Sequence, residues 1–241
     1  MSDDTNAFAQ PVGPVVVDWS PPPWPRRQPM IGRLCALESL DPARHGQDLH
    51  TANSADDGRM WTYLPHGPFA DAEAYHDWLE GFAADDTLVP FAIIDREHGR
   101  PVGVAAYLRV TPDAGSIEVG HLAFSPALQE TTMATEAMAL MMAHVFDDLG
   151  YRRYEWKCDA LNGPSRRAAD RLGFSFEGIF RQAMVVKDRS RDTAWFSIVD
   201  REWPHIRDGF GQWLDPANFD ADGRQHRRLS TLTRPAQLQQ S

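Results

Sequence analysis

The segment Gly120-His-Leu-Ala-Phe-Ser-Pro-Ala-Leu-Gln-Glu-Thr-Thr-Met-Ala-Thr-Glu reads as the end of a strand, a tight polar turn and the start of a long helix. A helix start offers amide N–H groups with no intrahelical partner and the positive end of the macrodipole. Small side chains at such a turn let a phosphate approach the backbone, so the turn and the helix start can form an anion cradle. A plain strand-to-helix connection fits the same residues. Two groups on the entering strand can take up a proton, Glu118 and His121. Three residues apart on a strand, they point to opposite faces, so at most one of them faces a given ligand. His121 has the ordinary pKa of a base near neutrality, and its competing reading is a packed, neutral histidine. For Glu118 the competing reading is a solvated strand carboxylate. Asp192 could bind a cationic group or simply pair with a nearby arginine.

These residues need elements to hold them. A first strand is expected over 32–38, then a helix from Asp41-Pro42, with Asp as cap and Pro in the first turn. A second helix over 70–84 places Tyr75, Trp78, Leu79 and Phe82 on one face. Residues 89–95 and 101–110 read as a hairpin, and 116–124 as the next strand. The 131–149 helix follows from Ala134, Ala137, Met138, Met141, Val145 and Leu149 and stops at Gly150. A strand over 153–158, a short helix capped at Asn162 or Gly163, strands over 174–180 and 193–199, and an amphipathic helix over 203–214 complete the domain. That order predicts an α/β (α+β) fold, a mixed sheet with helices on both faces. Seven prolines with Trp19 and Trp24 make residues 1–30 an extended arm, the tryptophans pinning it to its own domain or to a second subunit in a homodimer. A proline-recognition partner is the other use of such an arm. After Pro216 the chain turns polar, so 216–241 reads as a flexible tail around a domain of 31–215.

Composition narrows the function classes. Two cysteines, Cys35 and Cys158, give neither a disulfide framework nor a metal-ligand pair, and a reduced compartment fits. A net charge of −10 disfavours nucleic acid as a partner and suits a cationic amine. No apolar run approaches the roughly 20 residues of a membrane helix, and the acidic start is no secretory signal. The cytoplasm is the expected location.

Two motifs resemble the GNAT N-acetyltransferase superfamily, in particular its RimJ/RimL-like branch. The family's pyrophosphate loop, Gln/Arg-x-x-Gly-x-Gly/Ala, is similar to Gln129-Glu130-Thr131-Thr132-Met133-Ala134, with Thr132 in place of the middle glycine. About thirty residues on, Asn162-Gly-Pro-Ser165 leading to Leu172-Gly173-Phe174 resembles the family's Asn-x-x-Ser/Ala helix. Glu177-Gly178, Arg191-Asp192, Trp195-Phe196-Ser197 and Glu202-Trp203 continue the branch's pattern, and the likeness spans about residues 33–205. The resemblance implies a single domain with a mostly antiparallel mixed sheet, acetyl-CoA as cosubstrate and a primary amine as acceptor. It implies that Gln129, Thr131, Thr132, Met133, Ala134 and Thr135 hold the pyrophosphate, and that the backbone of Leu122, Ala123 and Phe124 bonds the pantetheine amides, with Asn162 and Ser165 beside them. It puts Glu118 where the branch often carries a catalytic glutamate. The family's usual acid, a tyrosine seven residues after the asparagine, is here Ala169, which leaves Ser165 as the nearest hydroxyl. These two departures keep open a non-catalytic acyl-CoA-binding module of the same fold. Trp61, Tyr63, Phe69, Tyr75 and Trp78 fall where such folds build an acceptor pocket; core packing is the expected use of most of them, with one or two left to line that pocket.

Overall fold

Eight strands pair into one sheet in the order β1-β2-β3-β4-β5-β6-β8-β7, in a computed structural model that describes residues 4–234. The strands are β1 (Met30–Ile31), β2 (Cys35–Ser39), β3 (Val89–Asp95), β4 (Arg100–Thr111), β5 (Ser116–Phe124), β6 (Arg153–Asp159), β7 (Ser175–Val186) and β8 (Arg189–Val199). All neighbours are antiparallel except β5 and β6, which run parallel and therefore need a crossover. Helix α3 (Thr132–Ala143) supplies it, ending in a π turn over His144–Asp148 before Gly150 at φ 76°. The expected mixed, mostly antiparallel sheet with helices on both faces is the fold observed.

Period-two alternation divides the core. On β3, Phe91 and Ile93 join α3, α4 (Gly163–Arg171) and α5 (Trp203–Leu214) on one face. Ala92 and Ile94, with Val104 and Ala106 of β4, face α1 (Pro42–Asn53) and α2 (Ala72–Ala84) on the other. Trp61 and Tyr75 are core residues of that second cluster, with Phe69 and Trp78 packed against it. Ala123 is the β5 residue in this cluster. The β6 and β8 stretch of the second face instead carries Glu155, Lys157, Thr193 and Trp195. That face is where the site forms.

Asp41 and Asn162 cap their helices as expected, and Thr131, expected inside the long helix, is the cap of α3. Asp41 accepts from Ala43 and Arg44, Thr131 from Ala134, and Asn162 from Ser165. Glu136 in α3 is buried because its carboxylate accepts from the amides of Arg33, Leu34 and Cys35, fixing the β1–β2 turn to the helix. Gly32 must be glycine there, since a Cβ would lie 2.5 Å from a Glu136 oxygen.

The flexible tail expected from Pro216 is replaced, through Arg234, by folded chain. Asn218 is buried and donates to the Trp213 and Arg227 carbonyls, and α6 (Leu229–Thr233) buries Leu229 and Leu232. Helix α5 accepts this close approach at Gly209, where a Cβ would sit 2.5 Å from the Leu232 carbonyl oxygen. A few apolar residues among polar neighbours suffice because they meet a surface that is already apolar. Residues 235–241 of that expected tail lie outside the described residues.

The arm is extended and runs along the domain. Pro22 and Pro25 are buried, Tyr151 donates to the Pro23 carbonyl at 3.1 Å, and Arg27 donates to the Ala83 carbonyl. Trp19 lies under the Arg152 guanidinium at 5.5 Å and against Gly115, and is 37% exposed; Trp24 is 47% exposed. Removing residues 1–29 is expected to cost about 2 kcal/mol, or about 4–8 °C of Tm. Calorimetry of the truncated chain checks this, and an unchanged Tm would show that the arm's contacts contribute nothing.

Candidate active site

The central geometric event lies in β5. Ala123 pairs with Val104 and Gly120 with Ala106, so two β5 residues, His121 and Leu122, oppose one on β4. This is a β-bulge, and His121 takes φ 51° within it. The bulge resets the side-chain alternation. Glu118 and His121 therefore line the same cavity, where uninterrupted alternation would have sent them to opposite faces. Pairing of β5 with β6 stops at Val119–Trp156, so the backbone from Gly120 to Phe124 has no β6 partner and borders a notch. A cavity of about 1280 Å³ passes through that notch.

One end of the cavity is the start of α3. Gln129, Glu130, Thr131, Thr132 and Ala134 line it, with Glu130 in the left-handed region at φ 59°. Thr131 Oγ1 satisfies the Ala134 amide at 3.0 Å, which leaves the earlier first-turn amides at Thr132 and Met133 open for an anion. Gln129 turns inward: its Nε2 donates to the Phe124 carbonyl at 2.7 Å and braces the strand end against the helix start. Met133 packs on the core, and Thr135 Oγ1 accepts from Arg171 at 2.9 Å, so these two side chains support the turn from behind. Leu122 and Phe124 line the notch, while the Ala123 side chain points into the second core.

Across the notch stands α4. Asn162 and Ser165 both line the cavity; Ser165 Oγ accepts from Trp156 Nε1 at 3.0 Å, which leaves its own proton free to donate. Ala169 is fully buried in the core.

The other end is walled by charge. Glu118 is buried, and its Oε2 accepts from Arg109 at 2.8 Å and from Lys157 at 2.9 Å. Lys157 also pairs with Glu155 at 2.8 Å and lies 3.6 Å above the Trp195 ring. Lys157, one of only two lysines, was the unused sequence signal for this network. Asp192 is occupied structurally, accepting from the Gln182 amide at 2.7 Å. Tyr63 is the member of the early aromatic set that reaches this cavity.

His121 stacks on His66 with centroids 5.7 Å apart, beside Phe82. Burial pushes His66 down to about 3, helped by His121 and Lys187, and burial also lowers His121. Both are therefore neutral at pH 7, and His121 Nδ1 has no partner among the described residues. A histidine held neutral in the fold titrates near 6.5 once unfolded, so its stabilising contribution is complete above that pH and is lost as the pH falls. His66 should cost about 1.4 kcal/mol per pH unit from about 6.5 down towards 3. Thermal melts from pH 7 to 4 should show this slope, and His66→Phe should flatten it. An identical slope in that variant would remove His66 as its source.

Comparison with known proteins accords with this geometry. Residues 37–175 match the family described as acetyltransferase (GNAT) domain. The crystal structure of a GCN5-related N-acetyltransferase from Brucella melitensis superposes with a TM-score of 0.88 at 45% identity, covering 90% of this chain and 99% of that one. A probable acetyltransferase (GNAT family) from Chromobacterium violaceum gives a TM-score of 0.76 at 40% identity, over 81% and 98% of the two chains. The uncharacterized N-acetyltransferase YnaD of Bacillus subtilis is 25% identical over 149 residues, 61% of this chain and 84% of that protein. The bulged strand, the notch and the open helix start thus sit in a chain that belongs to the GNAT acetyltransferase family.

Proposed function

We propose that the enzyme transfers the acetyl group of acetyl-CoA to a primary amine, with cosubstrate and acceptor entering the notch from opposite ends. The observation that carries this reading is the continuity of one cavity from the open first turn of α3, through the β5–β6 notch, to the wall of Glu118 and His121. Amides at Thr132 and Met133 hold the pyrophosphate, and the backbone of Leu122, Ala123 and Phe124 with Asn162 holds the pantetheine arm. Acetyl-CoA supplies an acyl carbon activated as a thioester. His121, neutral and unpartnered, takes the proton that the attacking amine must lose. An amide of the bulged strand donates to the oxyanion. As the carbon–sulfur bond breaks, Ser165 gives its proton to the departing thiolate and regains one from water, while His121 releases the amine's proton to water.

Glu118, placed among the catalytic candidates by its position, is assigned to the wall's charge balance. Protonating it would leave Arg109 without its carboxylate and Lys157 with one partner of two. We also assign the chain to the RimJ/RimL-like branch on its motif order. Part of that pattern has a visible structural use here: Glu177 accepts from Arg153 and Ser197, tying β6, β7 and β8 together. Calorimetry with acetyl-CoA, and coenzyme A release with a panel of amines, test the activity. Tight binding without turnover on any amine would return the chain to the non-catalytic reading.

A further inference from the structure

Strand β8 shows one face to the main core through Ala194, Phe196 and Ile198. Its opposite face presents Arg191, Thr193, Trp195 and Ser197 at every second position. Ser197 is satisfied by Glu177. The other three all line the cavity, Trp195 beside Lys157 of the charged wall, and each holds a buried polar atom with no hydrogen-bond partner among the described residues: Arg191 Nε, Thr193 Oγ1 and Trp195 Nε1. Buried polar groups are normally paired, so three consecutive inward positions without partners mark a place built for a ligand. Thr193 is 4% exposed, which removes bulk solvent as its partner.

The chemistry of the row is one-sided. The arginine Nε and the indole Nε1 can only donate, and the threonine hydroxyl can donate. Arg191 forms no ion pair among the described residues. Of the carboxylates on the adjoining strands, Asp192 accepts from the Gln182 amide across the β7–β8 pair and Asp159 accepts from the Leu161 amide in a turn. The row is also rigid, since the Trp195 ring is held between Lys157 at 3.6 Å and Phe180 at 4.4 Å. A donor-rich row with a guanidinium that has no ion-pair partner among the described residues fits an anionic, oxygen-bearing group. The tip of the β7–β8 hairpin is tied to the segment after α1, Lys187 Nζ donating to the Trp61 carbonyl at 2.8 Å, a tether that favours a small occupant.

We infer that the acceptor is a small amine carrying a carboxylate, of the amino-acid type, whose carboxylate oxygens accept from Arg191, Thr193 and Trp195. This rests on the acetyl-transfer reading above and adds the substrate class to it. The acceptor end then holds both groups of the substrate, the amine towards His121 and the acid on the β8 row.

The test measures kcat/KM for the twenty L-amino acids and their carboxamides, in the wild type and in Arg191→Met and Arg191→Lys. The quantity read is the acid-to-amide ratio, compared between enzymes so that intrinsic differences between the amines cancel. Arg191→Met should lower that ratio by about 10–100-fold, as expected for one hydrogen bond to a charged group. Arg191→Lys, which keeps the charge and loses the fork, should fall between. Acetyl-CoA calorimetry on each variant shows that the fold and the cosubstrate end are intact. An unchanged ratio in Arg191→Met overturns the inference, as does a wild type that turns over none of the acids while binding acetyl-CoA. A wild type that does not bind acetyl-CoA overturns the acetyl-transfer reading itself.

Discussion

Replacing His121 by asparagine is expected to lower kcat/KM at neutral pH by about 10²–10⁴-fold, the range of general-base catalysis, with little change in Tm. Asparagine tolerates the left-handed backbone that this bulge position requires at φ 51° but cannot take up a proton. Near pH 7 an ordinary amine is almost wholly ammonium and must lose a proton before it can attack. Because burial lowers His121 from its ordinary 6.5, its neutral form predominates at pH 7. The deficit of the variant should therefore shrink as the pH rises towards the pKa of the acceptor amine, where free amine no longer needs a base. Glu118→Gln should behave in the opposite way. It leaves the buried end of the Arg109 and Lys157 network short of a carboxylate, costing about 1–3 kcal/mol of stability with a smaller effect on turnover. Rate profiles from pH 6 to 9.5 and melting curves for both variants check the pair of outcomes. A His121→Asn enzyme with wild-type rates at neutral pH would remove that residue from the mechanism.

What could be read in advance was what the chain encodes locally. Asp41 and Asn162 are recognisable caps because a carboxylate or amide just ahead of a helical run, with proline in its first turn, has one common use, and both cap their helices here. The hairpin over β3 and β4 and the helical faces of α2 and α3 are likewise written in short-range spacing. The bulge was not, because nothing within Glu118-Val-Gly-His121 says that β4 will offer one residue against two. With the alternation unbroken, His121 and Glu118 looked like rivals on opposite faces. The pairing of Glu118 with Lys157 joins residues thirty-nine positions apart across the parallel β5–β6 contact, and only topology brings them together. The row at 191, 193 and 195 had a visible period of two, but alternation alone does not say which face lacks partners. The packed segment after Pro216 was hidden by its polarity, since its few apolar residues count only once the α5 surface exists.

Placing a carboxylate in the cradle should produce the other large effect. Thr132 is the first residue of α3 and lines the cavity at the helix start, next to the amides left open by the Thr131 cap. Thr132→Glu adds a negative charge where the phosphates are proposed to sit. At about 4 Å and an effective dielectric near 20, that repulsion is about 4 kcal/mol per unit charge, or about 10³-fold in acetyl-CoA affinity. The same substitution should not harm the fold. An acidic residue in the first turn of a helix is favoured by the macrodipole, by about 0.3–1 kcal/mol. The expected result is therefore a variant at least as stable as the wild type that no longer binds acetyl-CoA at concentrations saturating the wild type. Raising the ionic strength should recover only part of the loss, because the cradle is partly enclosed and salt screens surface charges better than enclosed ones. Calorimetric titration beside a melting curve separates the two effects. Unchanged affinity in a stable Thr132→Glu protein would move the pyrophosphate away from α3 and take the cosubstrate end of the cavity with it.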